Sequence, residues 1–231
     1  MVELVVFDMA GTTVDEDNVV YKTVRAAINA AGYGFTQEEV QAAGAGKEKS
    51  QAIRDVLALD AMPHTDEEVA RIFGDFKQRL ALAYEALDVR EQPGATVVFA
   101  KLRQQGVKVA LNTGYDRATA EGLVKKIGWT VGTDVDALIT ASDVEHGRPA
   151  PDMIHKAMEL TGVSSSEAVV KVGDSEIDIA EGHNAGCGMM FGITTGAQGE
   201  AMLLRSNPTA VVDSLEELCQ RVLAANNSGP R

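Results

Sequence analysis

The sequence predicts an α/β fold: a doubly wound parallel sheet with an all-helical segment inserted after its first strand. Three observations predict it. From about residue 88 onward, short apolar runs of strand length alternate with stretches of helical periodicity. The first run, Leu4 to Phe7, is unbroken and stops at Asp8, as expected of a strand buried on both faces. Residues from about Asn18 to Leu87 carry helical periodicity and no clear strand pattern. The expected division is a core of residues 1–15 plus 88–231 and a helical cap of residues 16–87.

Val20, Val24, Ala27, Ile28 and Ala31 fall on one face of a helix that Gly32 and Gly34 end. Thr36 followed by Glu38 and Glu39 reads as the start of a second helix, with early acids suited to its dipole. Gly44-Ala45-Gly46-Lys47 interrupts the pattern as a loop, and Ser50 to Leu59 and Asp66 to Leu87 are helical again. Pro93-Gly94 marks the return to the core. There, helices over 95–105, 117–127 and 152–161 alternate with strands over 107–111, 137–140 and 168–172. A helix to Ala185, a strand over 189–193, a helix over 197–205, a strand over 210–212 and a helix over 214–225 follow. The tail from Asn226 to Arg231 is expected to fray.

Composition narrows the function. A net charge of −13 disfavours nucleic acid and anionic membrane surfaces, which need a basic face. No stretch approaches the roughly 18 apolar residues of a membrane span, and the start lacks the features of a signal peptide. Cys187 and Cys219 are too few and too far apart for a disulfide scaffold or a zinc site. They read as small apolar residues in a reducing cytoplasm.

Four features fall at strand ends on one sheet edge: Asp8, Thr113-Gly114, the loop carrying Arg148, and Asp174 with Asp178. In a parallel sheet such ends converge in space. Asp8 and Asp174 suit a hard cation such as Mg²⁺, and Asp178 is placed to complete or orient the site. The Gly11-Thr12-Thr13 and Thr113-Gly114 turns offer N–H and hydroxyl donors, and Arg148 offers a fixed positive charge. Nucleophile, metal, donors and cation are what phosphoryl transfer requires. Tyr115 lines the pocket or packs beneath it. Lys171, His183 and Asp15 read as a snorkelling structural lysine, a helix-surface residue and a cap hinge or N-cap.

Asp8-x-Ala10-Gly11-Thr12-Thr13, Asn112-Thr113-Gly114 and Gly173-Asp174-x-x-x-Asp178, in that order, resemble the haloacid dehalogenase-like hydrolases over nearly the whole chain. Within them, Ala10, Gly147-Arg148-Pro149 and Lys171 to Gly186 are most similar to the phosphonoacetaldehyde hydrolases, the phosphonatase-like branch. The resemblance implies a Rossmann-like core with a cap, Mg²⁺ held by Asp8, the Ala10 carbonyl, Asp174 and Asp178, and a small phosphonate or phosphate substrate. It also implies a homodimer formed through the cap.

Phosphatases of that superfamily carry a second Asp two residues after the nucleophile, which protonates the leaving alkoxide. Ala10 cannot do so. Cleavage of a C–P bond would leave a carbanion, for which a lysine iminium is an electron sink. The resemblance places that lysine in a Gly-x-x-Lys cap loop, which Gly44-Ala45-Gly46-Lys47 fits, with Lys49 the competing residue. Lys47 is therefore expected as the imine former and Asp8 as the nucleophile. Ala10, Gly11, Thr12, Thr113, Gly114, Tyr115 and Arg148 are expected to hold the phosphoryl group and substrate. After Lys47 come Glu48, Lys49, Ser50 and Gln51, whereas the branch it resembles usually places a His and an Arg a few residues on. The alternatives are a phosphate-monoester phosphatase and, less well matched, a metal-independent haloacid dehalogenase.

Overall fold

A computed structural model describes residues 1–61 and 63–227. In chain order its elements begin with β1 (Leu4–Asp8), β2 (Val14–Asp15), α1 (Val19–Ala30), α2 (Gln37–Gly44), α3 (Lys49–Leu57) and α4 (Asp66–Ala86). They continue with β3 (Arg90–Glu91), α5 (Ala95–Gln104), β4 (Lys108–Thr113), α6 (Arg117–Ile127), β5 (Ala137–Thr140) and α7 (Asp152–Thr161). The last are β6 (Val169–Gly173), α8 (Glu176–Ala185), β7 (Met189–Ile193), α9 (Glu200–Leu203), β8 (Ala210–Val212) and α10 (Leu215–Asn227).

Six strands form one parallel sheet in the order β5-β4-β1-β6-β7-β8. The chain winds outward from β1 to β4 and β5, then crosses to β6, β7 and β8. β1 is thus where the winding reverses, the position at which open α/β sheets leave a crevice beyond their carboxyl ends. Side chains of β1 alternate: Val5 and Phe7 join the cluster with Phe99, Leu102 and Leu218, and Leu4 and Val6 join the other with Met153, Ile154 and Ile179. Every residue of β1 is buried, so the run has no polar positions until Asp8.

The four helices α1–α4 lie between β2 and β3. Local chemistry sets their starts: Thr36 and Glu39 form a reciprocal capping box on α2, Glu48 caps α3 through Ser50 N and Gln51 N, and Thr65 caps α4. The two chain crossings pair as a short antiparallel ribbon, Val14 opposite Glu91 and Asp15 opposite Arg90. Two-residue strands carry no periodicity, so this ribbon is invisible in the sequence.

Two expectations are corrected. The helix expected over 197–205 is confined to Glu200–Leu203, followed by a 3₁₀ turn to Ser206. Ala197 N donates to Asp174 Oδ2 at 2.6 Å and Gln198 N to Asp174 O at 3.2 Å, so these amides are drawn toward the strand end instead of into a helix. Asn226 and Asn227 continue α10 instead of fraying, and Asn226 Nδ2 donates to Val2 O at 3.0 Å. The rest of that tail, 228–231, lies outside the described residues. Among the described residues no helix is long and apolar enough to cross a membrane.

Candidate active site

The site begins where β1 ends. After Asp8 the chain turns so tightly that the N–H groups of Thr12, Thr13 and Val14 all converge on Met9 O. Gly11 makes this possible at φ +82°, and a Cβ there would stand 2.3 Å from Asp174 Oδ2. Gly196, approaching from the other side, would place a Cβ 1.9 Å from the same oxygen. Asp174 is therefore cradled between two glycines, and a side chain at either would displace it.

Asp8, Asp174 and Asp178 are buried, and one oxygen of each lies within 4.8 Å of the others. Arg148 reaches this cluster from its loop with a side chain only 4% exposed. Its Nη1 lies 2.7 Å from Asp8 Oδ1 and 3.0 Å from Asp178 Oδ1, its Nε 3.0 Å from Glu181 Oε2, and its Nη2 2.8 Å from Asn112 Oδ1. Lys171, read from the sequence as snorkelling, is 1% exposed and does not reach water. Its Nζ lies 2.7 Å from Asn112 Oδ1, 3.1 Å from Asp178 Oδ1 and 3.3 Å from Glu181 Oε2. Asn112 in turn donates to Glu181 at 3.0 Å. Asn112, Lys171 and Glu181 thus form a buried platform beneath the site that fixes Arg148 and Asp178. Sequence reasoning gave Asn112 and Glu181 no role. Glu181 is three residues after Asp178, on the same face of α8, which is the one signal that could have found it.

Four buried carboxylates meet two buried cations here. Burial pushes the Asp8 carboxyl up, against the pull of Arg148. Burial and then repulsion from Asp8 and Asp178 push Asp174 well above the usual range. For Asp178, burial is outweighed by Arg148 and Lys171, and it is held low. An excess of buried, all-oxygen donors with one clamped between glycines fits a bound Mg²⁺. Asp178 Oδ2 accepts from Ser175, and its Oδ1 is ion-paired with Arg148 and Lys171 without a hydrogen bond.

A cavity of about 30 Å³ opens beside the cluster. Asp8, Ala10, Thr113, Gly114, Tyr115, Arg148 and Asp174 line it from the core, and Tyr21, Gly46 and Lys49 from the helical segment. Of the expected substrate residues, Gly11 faces the adjoining cavity toward Thr195. Thr12 is fully buried, lines none of the cavities described here, and its hydroxyl has no hydrogen-bond partner among the described residues. Thr13, not Thr12, holds the strand end, donating to Asp8 O at 2.8 Å.

Lys47, expected beside Asp8, does not line the cavity that Asp8 lines. Its amine is paired with Asp55 on α3, its side chain is 34% exposed, and it lines a separate cavity with Glu48 and Gln51. Lys49 occupies the wall expected of Lys47. Its Nζ donates to Lys47 O at 2.7 Å and stands 5.0 Å from the Tyr21 ring centroid. Burial, countered in part by Asp8, holds its ammonium below the usual lysine range. Gly46-Lys47-Glu48-Lys49 is a second Gly-x-x-Lys in the same loop, so the spacing alone does not separate the two lysines. Gly46 itself, at φ +72°, would place a Cβ 2.0 Å from Ile177 Cγ2 and 2.5 Å from Ser175 Oγ. The loop is therefore seated directly on the turn that follows Asp174. His183 bonds Ser206 O and Asn207 O at 3.0 and 3.1 Å, away from the site.

Several known proteins are similar to this chain. A profile of the haloacid dehalogenase-like hydrolases matches residues 2–186. A phosphonoacetaldehyde hydrolase of Bacillus thuringiensis subsp. konkukian is 32% identical, covering 95% of this chain and 88% of its own. A bifunctional phosphonoacetaldehyde hydrolase/aminoethylphosphonate transaminase of Clostridioides difficile is 34% identical over 80% of this chain, which spans 30% of that longer protein. A crystal structure of a phosphonoacetaldehyde hydrolase-like protein from Oleispira antarctica superposes with a TM-score of 0.82 at 25% identity, covering 100% of this chain and 95% of its own.

Proposed function

This chain belongs to the haloacid dehalogenase-like hydrolases, and from that premise we propose that it hydrolyses the C–P bond of a 2-oxoalkylphosphonate through an imine on Lys49. One observation carries the reading. The position two residues after Asp8 is Ala10, which has no proton to give, while the half-buried Lys49 lines the same cavity as Asp8.

Lys49 condenses with the substrate carbonyl, its depressed basicity leaving more of it as free amine. Asp8 attacks phosphorus. The C–P electron pair passes into the iminium, so the leaving group is a neutral enamine that needs no acid at position 10. Arg148, fixed by Asn112 and Glu181, holds Asp8 and offsets phosphoryl charge. Thr113, Gly114 and Tyr115 face the phosphoryl end. Mg²⁺, held by Asp8, Asp174 and the Ala10 carbonyl with Asp178 behind, would supply charge neutralisation for the phosphoryl oxygens. Water then frees phosphate from Asp8, and protonation and hydrolysis release the carbonyl product from Lys49.

Borohydride reduction in the presence of phosphonoacetaldehyde, followed by peptide mass mapping, tests the reading. A reduced adduct on Lys49 is expected. Metal-dependent turnover of phosphate monoesters with no adduct on any lysine would replace it with the phosphatase.

A further inference from the structure

The cavity that holds Asp8 does not end at Lys49. On the other side of that side chain, and of Gly114 and Tyr115, lies a chamber of about 470 Å³, an order of magnitude larger than the reaction cavity. Its wall toward the helical segment is a stripe of α4: Phe73, Phe76, Leu80, Ala81 and Tyr84, spaced as one helix face. Phe73 and Phe76 stack with centroids 6.0 Å apart. Charged groups stand among the lining residues, Glu48 and Asp116 against Lys49 and Lys77, the last with its Nζ 4.8 Å from the Phe73 ring centroid, so the chamber carries no net charge to attract an anion.

Resting on the imine reading above, we propose that this chamber takes the second substituent of the substrate carbonyl, so that the preferred substrate is a ketone with an uncharged alkyl or aryl group. The geometry dictates the assignment. A carbonyl carbon condensed with Lys49 bears two other groups. The one carrying phosphorus must lie toward Asp8, in the small polar cavity. The other is directed across Lys49 into the apolar chamber. In phosphonoacetaldehyde that group is a hydrogen and the chamber stays unfilled. In a 2-oxo-2-arylethylphosphonate it is a ring that packs on Phe73, Phe76 and Leu80, where apolar burial strengthens binding.

The chemistry balances. Condensation releases one water. Attack by Asp8 forms an O–P bond and breaks the C–P bond, whose electrons form the enamine. The enamine carbon takes a proton and becomes the methyl carbon of a ketimine. One water hydrolyses the ketimine and another the aspartyl phosphate. Net, one water converts the ketophosphonate into a methyl ketone and phosphate.

The test compares kcat/KM of the Mg²⁺-loaded enzyme for phosphonoacetaldehyde, 2-oxopropylphosphonate and 2-oxo-2-phenylethylphosphonate, with borohydride trapping of each. A rise along the series, at least about tenfold from aldehyde to phenyl ketone, is expected for a buried ring. Ala81→Trp, which narrows the chamber from an exposed helix position, is expected to lower the phenyl-to-aldehyde ratio about tenfold. If the aldehyde is the best substrate while all three trap on Lys49, the chamber proposal falls and the imine reading stands. If none traps and phosphate monoesters turn over, both fall together.

Discussion

Lys49 Nζ donates to the carbonyl of Lys47 at 2.7 Å, while Lys47's own amine is turned away to Asp55. Two lysines of one loop thus face different cavities, and their roles separate experimentally. Lys49→Arg keeps the charge but cannot form the imine, so C–P hydrolysis is expected to fall by about a thousandfold, near 4 kcal/mol of barrier. Lys47→Ala is expected to stay within about threefold of the parent, since it removes a partly exposed ion pair of small worth. Single-turnover phosphate release from both variants decides between them. A Lys49→Arg enzyme as fast as the parent would sink the assignment.

Much of this was legible beforehand, for a physical reason. Leu4 to Asp8 and the run before Asp174 are buried on both faces, so any polar residue ending them stands out. Asp8 and Asp174 stand out in that way and Thr113 closes the run between them, whereas Arg148 lies on a loop and ends no apolar run. The choice between Lys47 and Lys49 was not legible, because both follow a glycine by three residues. What separates them is that Glu48 caps α3, making Lys49 its first residue and turning the two side chains apart. The Asn112, Lys171 and Glu181 platform was hidden because its members lie on β4, β6 and α8, and only the sheet register brings them together.

Gly46 is the point at which the loop carrying Lys49 rests on the core. A methyl group there meets Ile177 Cγ2 at 2.0 Å, and the residue sits at φ +72°, which costs a non-glycine about 1–2 kcal/mol. Gly46→Ala is therefore expected to lift the loop and lower kcat/KM at least tenfold. Borohydride trapping on Lys49 should fall in parallel. Gly74→Ala is the control: it lies within α4 with nothing within 4 Å of its Cβ, and is expected to add up to about 1 kcal/mol of stability. Matching losses in the two variants would deny Gly46 its positional role.

Asp174 gives a test of the metal that does not depend on turnover. Burial and the neighbouring Asp8 and Asp178 disfavour its charge in the metal-free protein. Binding of Mg²⁺ to the native state alone should raise stability by about 2.7 kcal/mol at a hundredfold excess over Kd. Asp174→Asn removes both the ligand and the repulsion. The variant is expected to match or exceed the parent in thermal stability in EDTA and to gain almost nothing from Mg²⁺. Equal Mg²⁺ shifts in parent and variant would place the ion elsewhere.

Glu16 makes the stability of this fold pH-dependent. It is 4% exposed, follows directly on the β2–β3 ribbon, and accepts a hydrogen bond from Tyr84 OH at 2.8 Å. Burial pushes its carboxyl from the ordinary 4.5 to about 7, against the pull of Tyr84, Lys49 and Tyr115. Because the folded value is the higher one, its contribution is fully present below about pH 4.5, where both states are protonated. It is lost as the pH rises through about 7, where the folded chain must hold a buried anion. The span corresponds to about 3 kcal/mol. Glu16→Gln retains an acceptor for Tyr84 and cannot ionise. Relative to the parent, it should gain that amount between pH 4.5 and 8, or about 6–12 °C in melting temperature for a chain of this length. Melting curves of both proteins across that range in EDTA check it, since the other buried carboxylates are common to the two and cancel in the difference. Parallel curves would mean that Glu16 is already ionised, at no cost, throughout.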